Sequence, residues 1–427
     1  MQLISRLATT LKRDARRAWR AGAGFIAISR WTSAVVGIAR RILLARILGA
    51  ESIGHIAVIN AVMSVVRLPA GAGTFPVVTK LVAENPGDLP AQRRVIGTSV
   101  RINAVTSLLA VGVLWGILTF FNVIRDPVAK RFLYIFAIFV PVIIFSGLLR
   151  CGVMGQRRMK TVGKLDMTAT MVGFVIVVAL ATFWLLRGWF IGSLVSFVLE
   201  LALFTWFIRP ILSWKWDRDV ALRIAKIGGL SFLSQLLSVL VLQVDTLTVS
   251  GMLEDPALTG IYNTAALAVA QLSLLPGAVL VVTFPFVAEN RNNMPLLRER
   301  YRELRKKLLF MTAALAAVAW VLCPWFFPIF GAEFSASTAP FRVLVLGMIA
   351  RSLYVLDNTY LEALGRTDVL FVVVTLSTAL IIGLNVIMIP RYGLMGAAWA
   401  TTISMFVGLL MREIVVQYFI FHKKAIR

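Results

Sequence analysis

Apolar residues in this chain form segments of about twenty or more, separated by short polar stretches that are rich in Lys and Arg. A membrane-spanning helix needs roughly 20 apolar residues, and the segments have a helical period and are too long for barrel strands. The pattern predicts an all-α polytopic membrane protein with about twelve transmembrane helices, at residues 24–46, 54–83, 99–122, 130–150, 164–186, 188–208, 228–251, 257–286, 308–330, 338–363, 368–389 and 393–415.

Composition agrees with this prediction, and the distribution of charge gives an orientation. Hydrophobic residues make up 59% of the chain, whereas soluble domains are about half apolar. The net charge of +24 would suit a nucleic-acid ligand, but the cations are unevenly placed. With both termini in the cytoplasm, the inner segments carry 31 Lys and Arg and the outer loops carry 6. Because this asymmetry follows the positive-inside rule, we predict cytoplasmic termini and no nucleic-acid partner.

The two halves of the chain resemble each other. Four short matches occur in the same order: Gly54 with Gly260, 69–71 with 276–278, 75–76 with 284–285, and 82–85 with 287–290. Weaker matches pair Gly155 with Gly365 and Gly188 with Gly393. Six helices per half predict two parallel lobes around a central cavity. The predicted domains are a basic amphipathic cytoplasmic segment 1–23, an N-terminal lobe 24–208, a cytoplasmic linker 209–227, a C-terminal lobe 228–415 and a cytoplasmic tail 416–427.

Predicted helices 2 and 8 contain helix-breaking residues at corresponding places. Pro69, Gly71 and Gly73 interrupt the first, and Pro276 interrupts the second. Such breaks free backbone carbonyls at membrane depth, where they need protein or water as partners. Broken helices at matching positions of two repeats are typical of a transport site. Ordinary kinked packing is the alternative.

Seven Lys and Arg side chains lie inside apolar segments, where a cation costs about 2.5–3.5 kcal/mol at the bilayer centre. Such residues face a protein interior or a wet cavity, and a cluster of one sign indicates a ligand of the other. We predict that the cavity binds an anion. Internal salt bridges are the alternative, as is snorkelling to the interface for the lysine. The predicted anion-binding residues are Arg30, Arg40, Arg41, Arg67, Lys80 and Arg351, and the seventh cation is Arg342.

Fewer acidic residues lie in the apolar segments, namely Asp166, Glu200, Asp245, Asp357 and Glu362. Asp245 and Asp357 are the candidates for coupling to an H⁺ or Na⁺ gradient, and pairing with a buried Arg is the alternative for each acid. The two Cys and two His residues have no spacing suited to a metal site, so we predict neither a metal nor a cofactor. Short outer loops without a catalytic constellation predict that the protein is not an enzyme.

Several segments resemble those of a transporter family. Residues 39–49, 70–75, 78–80 and 82–84 are similar to the first two helices of Wzx-type flippases for O-antigen and enterobacterial common antigen units. Residues 260–266 and 385–401 are similar to the second half of the same superfamily. The resemblance implies the multidrug/oligosaccharidyl-lipid/polysaccharide exporter fold in a bacterial inner membrane. It also implies an undecaprenyl-pyrophosphate-linked oligosaccharide as substrate, with a polysaccharide polymerase and chain-length proteins as partners.

Two other functions stay open at this point. An ion-coupled multidrug or lipid II exporter of the same superfamily would share the fold, although multidrug exporters usually bind cations. A membrane-embedded polysaccharide polymerase belongs to a different class, and the short outer loops argue against it. The residues do not identify the glycan.

Overall fold

The computed structural model describes residues 23–121 and 124–422, and all regular structure in these ranges is helical. The predicted segment 1–23 and the end of the predicted tail fall almost entirely outside these residues. The helices are α1 (Ala23–Gly71), α2 (Thr74–Glu84), α3 (Leu89–Phe120), α4 (Pro127–Ile138), α5 (Val140–Gly155), α6 (Met159–Ile208), α7 (Arg218–Leu253), α8 (Pro256–Leu272), α9 (Leu274–Glu289), α10 (Met294–Phe326), α11 (Thr338–Ala363) and α12 (Thr367–Val416), with short 3₁₀ turns at Phe327–Ile329 and Ala332–Ser337 and a π turn at Gln417–His422.

Three of these helices are too long to be single spans. α1, α6 and α12 contain 49, 50 and 50 residues, which corresponds to about 75 Å of helix against a hydrocarbon core of about 30 Å. Each contains non-helical backbone, at Gly49, at Trp184 and Leu185, and at Gly393. Dividing them there, and joining α1 to α2, α4 to α5 and α8 to α9 as broken spans, gives the predicted twelve within the described ranges. The chain is therefore a multi-pass membrane protein.

The turns inside α6 and α12 have the same geometry. Leu185 (φ 50°, ψ −129°) and Gly393 (φ 57°, ψ −134°) both adopt positive φ, 208 residues apart. Beyond each turn, a Cβ built on Gly188 or on Gly396 would lie 2.8 or 3.0 Å from the backbone nitrogen seven residues earlier. Both helices thus fold back on themselves in the same register. The match of Gly188 with Gly393 is wrong, because Gly188 corresponds to Gly396.

The match of Gly155 with Gly365 also needs correction. Gly365 (φ 75°) ends α11, and the residue in the equivalent turn after α5 is Arg157 (φ 59°), again 208 positions earlier. Gly155 instead lies within α5 and packs against α2, where a Cβ would lie 2.6 Å from Val82 Cβ. The two glycines therefore have different structural roles, and the repeat itself rests on the turn geometry.

Contacts between residues divide the helices into two compact units. Unit 1 comprises Met1–Leu48, Met63–Val123 and Lys130–Leu236, and unit 2 comprises Gly49–Val62, Ile124–Ala129 and Leu237–Arg427. The core of unit 1 is built around residues such as Val78, Leu148 and Phe204. Two clusters form the core of unit 2, one around Tyr262 and Met348 and one around Tyr360. The lobe boundaries drawn from the sequence stay a prediction.

The interruption near Pro69 separates α1 from α2. α1 ends at Gly71, Ala72 and Gly73 adopt positive φ of 45° and 64°, and α2 begins at Thr74. Thr74 Oγ1 donates to the freed carbonyl of Gly71 at 2.9 Å and is also hydrogen-bonded to the buried Asn103. Side chains thus satisfy the backbone that the break leaves unpaired.

The corresponding interruption in the second half lies between α8 and α9. The helix breaks at Ser273, three residues before Pro276, so that the proline occupies the first turn of α9. A proline is tolerated there because the first backbone N–H groups of a helix have no intrahelical acceptor.

Candidate functional site

Arg67 lies on α1 six residues before the α1–α2 break, in unit 1. Its guanidinium carbon lies 5.5 Å from the centre of the Phe197 ring on α6, and the Glu200 carboxylate is its nearest source of negative charge. Its Nε is buried and has no hydrogen-bond partner in the described part of the chain. An unpaired buried donor costs about 1–3 kcal/mol, so this guanidinium retains an unused capacity to bind an acceptor.

A bidentate ion pair also lies in unit 1. Arg150 on α5 donates from Nε and Nη2 to the two oxygens of Asp166 on α6, at 2.8 and 2.7 Å. Glu200 lies in the field of Arg150 as well as that of Arg67. The charge count assigned Arg150, the last residue of the predicted span 130–150, to the inner side, and the structure places it within α5. Asp166 is neutralised by this bidentate pair, as the alternative for the buried acids proposed.

The arginines in the first part of α1 have different surroundings from Arg150 and Asp166. Arg40 and Arg41 are exposed on α1, and neither forms a hydrogen bond or an ion pair with any described residue. Arg30 also lies on α1, but its side chain is outside the described part of the structure. That these arginines line one cavity with Arg67 stays a prediction.

The three remaining cations have different surroundings. Lys80 on α2 is 59% exposed and its Nζ lies 3.9 Å from Glu84, one helical turn away, which is a surface ion pair. Arg342 on α11 stacks on the Trp320 ring at 4.3 Å. Arg351 is half-buried midway along α11 and has no ion partner among the residues that the structure describes. Of the three, Arg342 and Arg351 have no acidic partner among the described residues, so both retain the charge needed to bind an anion.

Asp245 on α7 is held by neutral donors from α12, within unit 2. It accepts hydrogen bonds from Asn385 Nδ2 at 3.0 Å and from Thr401 Oγ1 at 2.8 Å. Asn385 Nδ2 also contacts Thr248 Oγ1, and the Tyr262 hydroxyl of α8 lies 3.2 Å from Thr401 Oγ1. No described Lys or Arg lies within ion-pair distance of this carboxylate. We call these five residues the Asp245 cluster; its half-buried carboxylate lies among oxygen and amide ligands, without a counter-ion among the described residues.

The sequence analysis did not select the other members of the Asp245 cluster as site residues. Asn385, Thr401 and Tyr262 lie in segments that carried the family resemblance, but no role was assigned to them. A polar side chain inside an apolar span was the available signal, and it occurs at many other positions, mostly as Ser and Thr bonded to their own helix. Their convergence depends on α12 meeting the consecutive helices α7 and α8, which lie far from it in the sequence.

Asp357, the second predicted coupling residue, has a different environment. It is fully buried on α11 and accepts a hydrogen bond from the Tyr301 hydroxyl at 2.6 Å. Arg305 of α10 lies 3.8 Å from it and also forms an ion pair with Glu413 of α12 at 2.6 Å. Because its charge is already balanced by an arginine, the geometry favours a structural role for Asp357 over ion coupling.

A second arginine that the charge count assigned to an inner segment also lies in a helix. Arg412 of α12 is only 4% exposed. It donates from Nε to Asn358 Oδ1 at 2.8 Å and from Nη1 to Gly408 O at 2.8 Å, and it stacks on the Tyr354 ring at 4.5 Å. Arg412 therefore joins α11 to α12.

Comparisons with known proteins identify the family and the fold. A family profile described as "Polysaccharide biosynthesis protein" matches residues 43–339, which is more than half of the chain. No curated protein sequence matches significantly. The structure of a lipid II flippase, MurJ, in an inward closed conformation is similar with a TM-score of 0.75 and 16% identity, covering 92% of this chain and 87% of that one.

Two transporters have the same architecture. An inward-facing multidrug resistance MATE family transporter of the MOP superfamily has a TM-score of 0.71 and 14% identity, covering 90% of this chain and 94% of that one. A MOP superfamily transporter from Pyrococcus furiosus has a TM-score of 0.62 and 14% identity, covering 94% of each chain. The exporter fold predicted from the sequence is confirmed. The chain belongs to the polysaccharide biosynthesis protein family, and it has the fold of the MurJ and MATE transporters.

Proposed function

We propose that this protein is a flippase that moves undecaprenyl-pyrophosphate-linked oligosaccharide units from the cytoplasmic to the periplasmic leaflet of a bacterial inner membrane by alternating access. The family is one of polysaccharide biosynthesis, and the fold is one of transporters. The observation that carries the proposal is Arg67, a guanidinium beside a helix break in an apolar span, whose Nε is buried without an acceptor. A phosphate oxygen would supply that acceptor.

The pyrophosphate would be bound by arginines that the protein does not neutralise. Arg40, Arg41 and Arg351 have no ion partner among the described residues, and Arg67 has only the distant field of Glu200. A guanidinium binds phosphate through two parallel N–H groups and stays charged even when buried. Lys80 is left out of the proposed binding set because it is exposed and lies beside Glu84. The polyprenyl tail would remain in lipid while the head group crosses.

We propose that the Asp245 cluster couples transport to an H⁺ or Na⁺ gradient. A carboxylate without a protein counter-ion is costly inside a membrane, and binding a cation or a proton removes that cost. The oxygen atoms of Asp245, Thr401 and Thr248 would be suitable ligands for Na⁺, whereas protonation would neutralise Asp245 directly. Asp357 is not included, because Arg305 already neutralises it.

The charge of the candidate ligands separates this proposal from multidrug export. A cavity for cationic drugs requires unpaired acids, whereas the unpaired groups proposed to bind the substrate here are arginines. The orientation with both termini cytoplasmic rests on the excess of cations in the inner segments. A polymerase and chain-length proteins would act on the flipped product, since the family belongs to polysaccharide biosynthesis.

Flipping is tested in proteoliposomes with a lipid-linked oligosaccharide carrying a fluorescent group that an impermeant reductant bleaches in the outer leaflet. Wild-type protein should render the whole pool accessible without changing its mass. Arg67→Ala should stop the movement, and Arg67→Lys should restore only part of it because the bidentate geometry is lost. Arg187→Ala, which removes an exposed arginine at the α6 turn, is the matched control and should flip normally.

Three results would overturn the proposal. Normal flipping by Arg67→Ala would remove the role of that residue, and normal flipping with Arg40, Arg41 and Arg351 also replaced would remove the cationic site as a whole. A change in substrate mass would identify an enzyme instead of a transporter.

A further inference from the structure

The segment between α6 and α7 is held firmly on unit 1. We call residues 206–218 the strap; it has no helical structure from 212 to 217. A Cβ built on Gly97 of α3 would lie 2.5 Å from the carbonyl oxygen of Lys215 and 2.7 Å from its nitrogen, so the two backbones are in contact. Asp217 N donates to the buried Thr98 Oγ1 at 2.9 Å. The path of the strap is thus fixed by α3.

Charged side chains complete this attachment. Arg93 Nε donates to the carbonyl oxygen of Pro210 at 2.9 Å, and Arg94 Nε lies 3.5 Å from Asp217 Oδ2. The other oxygen of Asp217 accepts from the backbone nitrogens of Asp219 and Val220, in the first turn of α7. The strap's single acid is therefore used in holding it to α3 and α7.

The outward side of the strap has a different composition. Trp214 and Trp216 are 60% and 50% exposed. Trp206 is also exposed, and Arg209 stacks on its ring at 4.5 Å. Lys215 and Arg218 are exposed as well. Three tryptophans alternate with three cations, and none of the cations has an ion partner in the described residues.

We propose that this side of the strap binds the anionic phospholipid headgroups of the membrane leaflet on the predicted cytoplasmic side. Tryptophan favours the membrane interface because its ring is apolar and its N–H is polar. Each cation near an anionic surface raises binding about fivefold. The strap begins in the last turn of the apolar α6 and ends at the first residue of α7, so its ends lie where a bilayer begins. A soluble partner would have to displace lipid to reach the same side chains.

The inference is independent of what the protein transports, and it assigns the strap to unit 1 as a fixed lipid-binding surface. The probe is a nitroxide spin label on single cysteines at Trp214 and Trp216, in full-length protein with Cys151 and Cys323 replaced by Ala. Asn292 lies in the exposed turn between α9 and α10, on the same predicted side, and provides the matched control position. The proteins are reconstituted into phosphatidylcholine vesicles with or without phosphatidylglycerol.

Collisions with an aqueous nickel chelate report the exposure of each label to water. With phosphatidylglycerol present, the labels at 214 and 216 should collide with the nickel chelate at most about one-fifth as often as the label at 292. Omitting phosphatidylglycerol, or introducing Arg209→Glu, Lys215→Glu and Arg218→Glu together, should raise the collision rate at 214 toward that at 292. Equal collision rates at all three positions would overturn the proposal, as would shielding that does not depend on the anionic lipid or on the three cations.

Discussion

Gly54 and Gly260 pack backbone against backbone within unit 2. A Cβ built on Gly54 would overlap the carbonyl oxygen of Pro256 and lie 3.1 Å from Gly260 N, and one on Gly260 would overlap the carbonyl oxygen of Ala50 and lie 2.9 Å from Gly54 N. Gly54 and Gly260 are 206 residues apart, as are Ala50 and Pro256, and this is the offset that the sequence repeat gave for Gly54. This contact brings together two positions that the sequence repeat pairs.

Replacing either glycine by alanine should separate the two helices. The added methyl group has no free volume, because its neighbours are backbone atoms that cannot change rotamer. We expect Gly54→Ala and Gly260→Ala each to cost about 1–3 kcal/mol of stability, as overpacking does, and to lower the apparent unfolding temperature in detergent. Gly112→Ala on α3 is the control, since no atom lies within 4 Å of its Cβ. Full stability of the Gly54 and Gly260 variants would contradict the close contact.

The Asp245 cluster predicts that replacing Asp245 removes the response of flipping to an ion gradient. Asp245→Asn keeps the shape of the side chain and removes its charge, so a bound cation or proton no longer has a counter-charge. Flipping by the wild type should accelerate with an imposed Na⁺ or pH gradient, whereas the variant should respond to neither. Asp166→Asn removes an acid that Arg150 neutralises and should keep the gradient response. A gradient response in Asp245→Asn equal to that of the wild type would exclude this carboxylate as the coupling site.

The sequence predicted the elements of this fold well because local rules decide them. Apolar length determines a membrane span, and the backbone limits of proline and glycine placed the break at Gly71–Thr74. The repeat was aligned by matching identical residues in the two halves. That alignment failed at turns, where the two halves share a backbone conformation but not the residue type. Leu185 takes the positive φ that Gly393 takes in the other half, so aligning glycine with glycine gave the wrong register.

The partners of the charged side chains could not be predicted in the same way. Asp245 and Asp357 are both single acids in apolar helices, yet one meets an amide and hydroxyls while the other meets Arg305. That difference depends on which faces of distant helices meet. Arg150 and Arg412 illustrate the same limit, because the sequence placed them near span ends but did not identify their partners Asp166 and Asn358.

The Arg305–Asp357 pair predicts a large effect on stability. Arg305→Met leaves Asp357 buried without its cation, and breaking a buried pair costs about 3–5 kcal/mol. Adding Asp357→Asn should recover part of this loss, because the uncompensated charge is removed. Arg366→Met breaks the more exposed pair with Asp368 and should cost about 1 kcal/mol or less. Thermal unfolding of the four proteins in detergent measures these differences, and an Arg305→Met loss as small as that of Arg366→Met would contradict the prediction.

His55 and Asp126 predict how stability depends on acid. Asp126 lies just before α4, and its Oδ1 accepts from the backbone nitrogens of Val128 and Ala129. His55 Nδ1 is hydrogen-bonded to Oδ2 of the same carboxylate. Burial alone would raise the pKa of Asp126, but the hydrogen bond from His55 and those from the backbone outweigh it and lower the pKa below its ordinary value of 3.8. Folding therefore favours the ionised carboxylate.

A carboxyl with a lowered pKa contributes stability that is fully present above its unfolded pKa and is lost as the pH falls through its folded pKa. The contribution of Asp126 should thus be constant above about pH 5 and disappear progressively below about pH 4. Asp126→Asn should unfold at a lower temperature than the wild type at neutral pH, and the two curves should converge in acid. Asp255→Asn, which removes an N-cap of α8 without a histidine contact, is the control for losing a cap alone. A gap between wild type and Asp126→Asn that stayed constant down to about pH 3 would show that the carboxylate is not held in its ionised form.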